Sequence, residues 1–131
     1  MIEVYTDGAS AGNPGKSGAG IYIKANNQTF EYSIPLGYMS NHEAEFHAVL
    51  HALKICLTLF PDEILSFRTD SNIVVDVVEK NHTKNKTFRP LLKQIHEKTR
   101  QFPLFFIKWI PAKENIHADQ LAKEALQLQK D

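Results

Sequence analysis

Only one cysteine occurs in the 131 residues, Cys56. No internal disulfide can form, and a reducing compartment is expected. Long apolar runs are missing too, since none approaches the ~20 residues that cross a bilayer. The opening residues Met1 to Tyr5 hold no basic stretch followed by an apolar run, so no signal peptide is expected and a cytoplasmic protein is. A surplus of one charge is also lacking. Fifteen basic and fifteen acidic residues cancel, where a nucleic-acid binder is more usually basic. No internal repeat, low-complexity tract or linker breaks the chain, and a single domain over residues 1–131 is expected, as a monomer.

What is present is ordinary globular material, 43% hydrophobic, enough for a sizeable core without disulfides. The pattern predicts a short strand over 2–6, a loop over 8–17, and strands near 18–25 and 28–35 joined by a tight turn at Asn26-Asn27. A helix over 42–59 is expected next, ended by Pro61. A strand at 64–69, helices at 71–80 and 88–100, a strand at 104–110 and a helix at 115–128 follow. Three strands and then alternating strands and helices predict an α/β fold with a mixed sheet. The charge is unevenly spread. From Glu79 to Arg100 seven basic residues face two acidic ones, an excess of five. That run reads either as a solvated face or as a surface that contacts phosphates.

One carboxylate lies where a helix should be apolar. Glu43, His47, His51, Lys54 and Thr58 form a narrow stripe expected to face water. Glu45 lies roughly 200° from Glu43 around the helix and shares its side with Val49, Ala52, Cys56 and Phe60. An ionised carboxylate there is costly unless it is paired or binds a metal. The bland account is a favourable early-helix charge. Asp7 is expected to end the first strand before a glycine-rich loop, and Asp70 ends another strand; sites in α/β sheets gather beyond such ends. Asp70 also reads as the N-cap of the following helix, and Asp7 as a turn residue before Gly8. Asp119 lies one turn into the last helix, at the flank of its apolar face. Carboxylates converging without cysteine or histidine suggest oxygen-bound Mg²⁺ or Mn²⁺. His47 and His51 have the spacing of a zinc pair, but their place on the polar stripe makes them surface residues.

These residues resemble the ribonuclease HI family over nearly the whole chain. Thr6-Asp7-Gly8-Ala9-Ser10-Ala11-Gly12-Asn13-Pro14-Gly15 is similar to its opening motif, and Ser40-Asn41-His42-Glu43-Ala44-Glu45 to the segment carrying its catalytic glutamate. Thr69-Asp70-Ser71 is similar to its second aspartate motif. Trp109-Ile110-Pro111 and Asn115-Ile116-His117-Ala118-Asp119-Gln120-Leu121-Ala122 resemble its last strand, loop and final aspartate. The resemblance implies a ribonuclease H-like fold, a five-stranded mixed β-sheet flanked by α-helices, and an endoribonuclease that hydrolyses the RNA strand of RNA/DNA hybrids. It implies that Asp7, Glu45, Asp70 and Asp119 are catalytic and hold two divalent cations, with no other cofactor. One cation would lower the pKa of the attacking water and the other stabilise the leaving 3′ oxygen. Ser10, Asn13, Asn41 and Asn72 match positions that contact the hybrid, in part through the minor groove where 2′-hydroxyls are displayed.

Three features depart from the family's pattern. His42 replaces a common asparagine. The loop Ala112-Lys113-Glu114-Asn115 lacks a histidine that assists product release in many members, and His117 sits too close to the helix to replace it. A basic protrusion is also absent, for which the helix from Arg89 to Arg100 is a partial substitute. Weaker substrate binding is the expected consequence. The alternatives are a non-catalytic ribonuclease H-like module that binds nucleic acid or protein, and a related nuclease or strand-transfer enzyme.

Overall fold

The structure, a computed structural model, describes residues 1–129. Its order is β1 (Ile2–Ser10), β2 (Gly15–Ala25), β3 (Gln28–Met39), α1 (Asn41–Leu59), β4 (Leu65–Thr69), α2 (Asn72–Lys80), α3 (Phe88–Thr99), β5 (Phe105–Trp109), a 3₁₀ turn (Ala112–Glu114) and α4 (Ile116–Gln127). The five strands form one sheet in the order β3-β2-β1-β4-β5. β1 to β3 are antiparallel neighbours, whereas β4 lies parallel to β1 and β5 parallel to β4. The predicted mixed sheet is therefore present. Asn26 and Asn27 make the β2–β3 turn at φ 48° and 69°, the left-handed conformation a two-residue hairpin requires.

The loop expected over 8–17 shrinks to residues 11–14. β1 continues through Asp7 to Ser10, and Gly8, Ala9 and Ser10 pair with Ala19, Gly18 and Ser17 of β2. Asp7 consequently lies inside a strand rather than at its end. The segment reads like a loop because it is built from glycine, alanine and serine, and the structure supplies the reason. A Cβ on Gly8 would come within 2.5 Å of the Glu45 nitrogen, and one on Gly20 would overlap the Ala118 oxygen and Ala122 nitrogen. Two helices press onto the sheet backbone here, and only small residues leave room. β3 likewise passes Pro35 and runs to Met39, because it is an edge strand, where proline costs no ladder bond.

Successive positions of β1 alternate between faces. Gly8 meets α1 and Asp7's partner Gly20 meets α4, so α1 and α4 cover opposite faces. On the α1 side, Ile2, Val4, Ile21, Ile23, Leu65 and Phe67 form the core with Phe46, Leu53 and Ile95. The polar stripe of α1 is only partly wet. Lys54 and Thr58 are exposed, but Glu43, His47 and His51 are half-buried, since the sheet and α3 leave little of this helix to water.

Candidate active site

The pairing of β4 with β1 ends at Tyr5 opposite Arg68. Beyond that point one side of β1 is open, and the four acidic residues meet around this gap. Asp7 comes from β1, Glu45 from the second turn of α1, Asp70 from the residue after β4, and Asp119 from the first turn of α4. Asp7 is 9% exposed. Burial pushes its carboxyl up to about 8, and the charges of Asp70, Asp119 and Glu45 push the same way, as does a hydrogen bond with Asp119. Four sequence-distant acids therefore share one electrostatic site.

Each of the other three is held by a neighbour. Glu45, whose side chain is 15% exposed, accepts from the Ser71 hydroxyl at 2.6 Å and from Asn41 Nδ2 at 3.5 Å. His42 Nδ1 stands 3.4 Å from the same carboxylate. Asp70 Oδ1 accepts from Asn115 Nδ2 at 2.9 Å. Asp119 pairs with Lys123 one turn along α4 at 2.9 Å. Among the described residues, no three acidic, histidine or cysteine side chains are gathered into a ready cation cage. The donor set fits hard cations nonetheless: carboxylate oxygens, with negative charge crowded enough to raise Asp7.

Three residues that support the site were not singled out in the sequence for that role. Ser71, not Asp70, is the N-cap of α2: its hydroxyl accepts from the Val74 N–H at 3.3 Å while donating to Glu45. That removes the capping role that Asp70 could have had. Asn115, 2% exposed, donates to both Asp70 and the Thr6 carbonyl at 2.9 Å. It thus bridges the open side of β1 to the end of β4, beside Asp7. Asn115 stands four residues before Asp119, within the segment that resembles the family's final motif, but its own hydrogen-bonding role leaves no separate trace in the sequence. Glu43 is the third. Its carboxylate accepts from the Ser40 N–H at 3.1 Å while the Ser40 hydroxyl accepts from Glu43 N at 3.2 Å. This reciprocal cap fixes the start of α1, and the serine and glutamate three apart were a readable signal for it.

The residues expected to contact substrate are arranged unevenly. Asn13 Oδ1 accepts from the Asn41 N–H at 3.1 Å, which ties the β1–β2 connection to α1. Ser10 is bonded to Ser17 Oγ at 2.6 Å. Asn72 is exposed at the first position of α2, next to Ser71. In the basic segment, Lys84, Lys86, Arg89, Lys93 and Arg100 are exposed, and Arg89 and Lys93 line a surface hollow of about 450 Å³ with His82 and His96. The N-terminus of α3 reaches the site through Phe88, whose ring lies 4.7 Å from Phe46 and 6.5 Å from His42.

A family model described as RNase H matches residues 1–127. The chain belongs to the RNase H family. Among its relatives is "Putative hydrolase EbsB" of Enterococcus faecalis, 40% identical over 97% of this chain and 95% of that protein. Ribonuclease HI of Halobacterium salinarum is 32% identical over 95% of this chain and 64% of its own length. Among solved structures, RNase H1 from Halobacterium salinarum superposes with a TM-score of 0.91 at 27% identity, covering 98% of both chains. LC11-RNase H1 in complex with an RNA/DNA hybrid gives 0.90 at 28%, again over 98% of both. The five-stranded mixed sheet with its helices is thus the RNase H-like fold. No helix among the described residues is long and apolar enough to cross a membrane.

Proposed function

We propose that this RNase H-family protein hydrolyses the RNA strand of RNA/DNA hybrids at the site around Asp7, with Mg²⁺ or Mn²⁺ held by Asp7, Glu45, Asp70 and Asp119. The observation that carries the reading is the convergence of four carboxylates from four separate elements on Asp7, whose carboxyl is pushed up to about 8 by burial first and by the other three charges next. Such crowding is unfavourable on its own and becomes favourable when cations sit among the acids. Two divalent ions, when bound, lower the pKa of a water and stabilise a leaving oxygen. The chain's own residues do the rest. Ser71 orients Glu45, and Asn115 fixes Asp70 against β1. Asn13 and Asn41, held against each other, offer amide groups to a minor groove lined with 2′-hydroxyls. Ser10 and Asn72 flank them, and the basic face of α3 supplies phosphate contacts. That a family member was solved with an RNA/DNA hybrid supports this substrate class.

A non-catalytic binding module is the second reading. It is favoured by Glu45, Asp70 and Asp119 each having a partner within the chain. A gel assay separates the two. Labelled RNA/DNA hybrid, double-stranded RNA and single strands are incubated with magnesium and then with manganese. Cleavage of the RNA strand of the hybrid alone, abolished by a chelator, is expected. Hybrid binding with no cleavage in either metal would select the binding module.

A further inference from the structure

The face of the sheet that carries Asp7 is covered by α4 only in part. α4 packs on β1, β2 and β3, and the remainder is open. Strand register lays two rows of side chains across it. Tyr22, Tyr5, Arg68 and Lys108 form one row; Lys24, Glu3, Ser66 and Phe106 form the next. The first row starts two residues from Asp7 on the same face of β1. Lys24 sits over the Tyr5 ring at 5.6 Å and the Tyr22 ring at 6.0 Å, and Arg68 over Tyr5 at 5.5 Å. His117 stacks on Tyr22 at 4.3 Å with the planes 8° apart. On β5, Phe106 is 51% exposed.

The charges lean one way, although Glu114 lines the same small hollow as Lys24, Tyr5 and Tyr22. Glu3 is taken up by Arg68, which also donates to the Tyr5 hydroxyl at 3.0 Å. Among the described residues, Lys24 and Lys108 make no ion pair, and neither does Lys113 in the turn before α4. Exposed rings at His117 and Phe106, alongside ammonium groups without a carboxylate partner, suit a ligand that offers phosphates and exposed base faces together. A duplex hides its base faces; a single strand presents them, and base–aromatic stacking combined with a cationic track is how single strands are held without sequence preference.

We propose that this open face holds a single-stranded nucleic-acid flank continuing from a substrate at the carboxylate site. Lys24, Lys108 and Lys113 take the phosphates, and Phe106, with the exposed ring of His117, takes bases. The inference rests on the proposed hybrid substrate for its biological setting, but its test does not. With a chelator present, fluorescence anisotropy is read for three labelled probes: a blunt hybrid, the same hybrid with a single-stranded extension, and a lone oligothymidylate about 12 nucleotides long. The extended hybrid should bind at least about 5-fold tighter than the blunt one, the gain a single well-stacked base supplies. The triple variant Lys24→Gln/Phe106→Ala/Lys108→Gln should lose that gain and most oligothymidylate binding. Its salt slope for the oligonucleotide should fall by about 0.7 per lost cation. Blunt-hybrid affinity and cleavage should be unchanged, which also shows that the variant is folded. Equal wild-type affinities for blunt and extended hybrids would overturn the inference. So would full retention of oligothymidylate binding by the variant, which would leave the face to a protein partner. Failure of the hybrid reading looks different, because wild-type protein would then leave the blunt hybrid uncut while the oligothymidylate comparison still decided this proposal.

Discussion

Two glutamates, two residues apart on α1, have different tasks in the proposed function, one at the site and one in folding. Glu45 points into the acidic site and Glu43 closes the cap of its own helix. Glu45→Ala should lower hybrid cleavage by orders of magnitude with little change in melting temperature. Glu43→Ala should leave turnover near wild type and cost about 1 kcal/mol of stability through the lost cap. Parallel kinetics and thermal melts check both, and equal losses of activity would place both carboxylates in the same role. Asn115 makes a third case. Asn115→Ala would leave Asp70 and the Thr6 carbonyl without a donor in a buried place. A loss of about 1–3 kcal/mol is expected, together with weaker magnesium binding by calorimetry, since Asp70 would no longer be held. Unchanged magnesium affinity would confine Asn115 to a structural role.

At the scale of elements, the glycines decide how the site is assembled. Gly8 lets α1 lie against β1 and so brings Glu45 in, while Gly20 lets α4 lie on β2 directly opposite Asp7 and brings Asp119 in. The same need for small residues is why a strand there resembled a loop in sequence: Gly8 to Ser10 carry no β-branched side chain, yet they pair fully with β2. The amphipathic helices were legible because burial follows their period. Val74 and Val77 of α2, and Leu91, Leu92 and Ile95 of α3, are all buried. The basic surface of α3 yields a prediction at this scale. Arg89 and Lys93 line one hollow. Neutralising both should weaken hybrid binding for every sequence alike and flatten its salt dependence by roughly one unit of slope per lost contact. Turnover at saturation should change little. An unchanged slope would make the run a solvated face.

For the whole molecule, the four acids were legible because each carries a motif at its place in the chain. Ser71 and Asn115 stand inside those motifs, yet their roles were not legible, because a buried hydrogen bond between distant elements leaves no periodic trace. The polar stripe of α1 illustrates the same limit. Its spacing was read correctly, but its exposure depends on α3, which packs from elsewhere in the chain. One consequence is acid sensitivity. Burial lowers the pKa of His47 against the opposing charge of Glu43, with Lys54 adding to the fall; burial, Lys54 and His47 together lower that of His51. Both are then neutral in the fold, whereas the unfolded chain takes up protons as pH falls below 6.5. For these two groups the unfolded state binds more protons, so their contribution to stability falls with pH from that point until the lowered values are reached. Asp7, raised to about 8, takes its proton first in the fold and contributes the opposite slope over the same range. Denaturant titrations from pH 7 to about 5 should show the wild type losing stability relative to His47→Gln/His51→Gln as pH falls. A slope unaltered in the double variant would put the acid sensitivity elsewhere.

In the proposed function Asp7 serves chemistry at the expense of stability, since it is buried among three other acids. Asp7→Asn keeps the shape of the side chain but cannot ionise. Cleavage of an RNA/DNA hybrid in magnesium should be abolished, while the variant's melting temperature in chelator should equal or exceed wild type through relief of like-charge crowding. Both are read on the same protein preparation. Substantial hybrid cleavage by the folded Asp7→Asn protein would contradict the account.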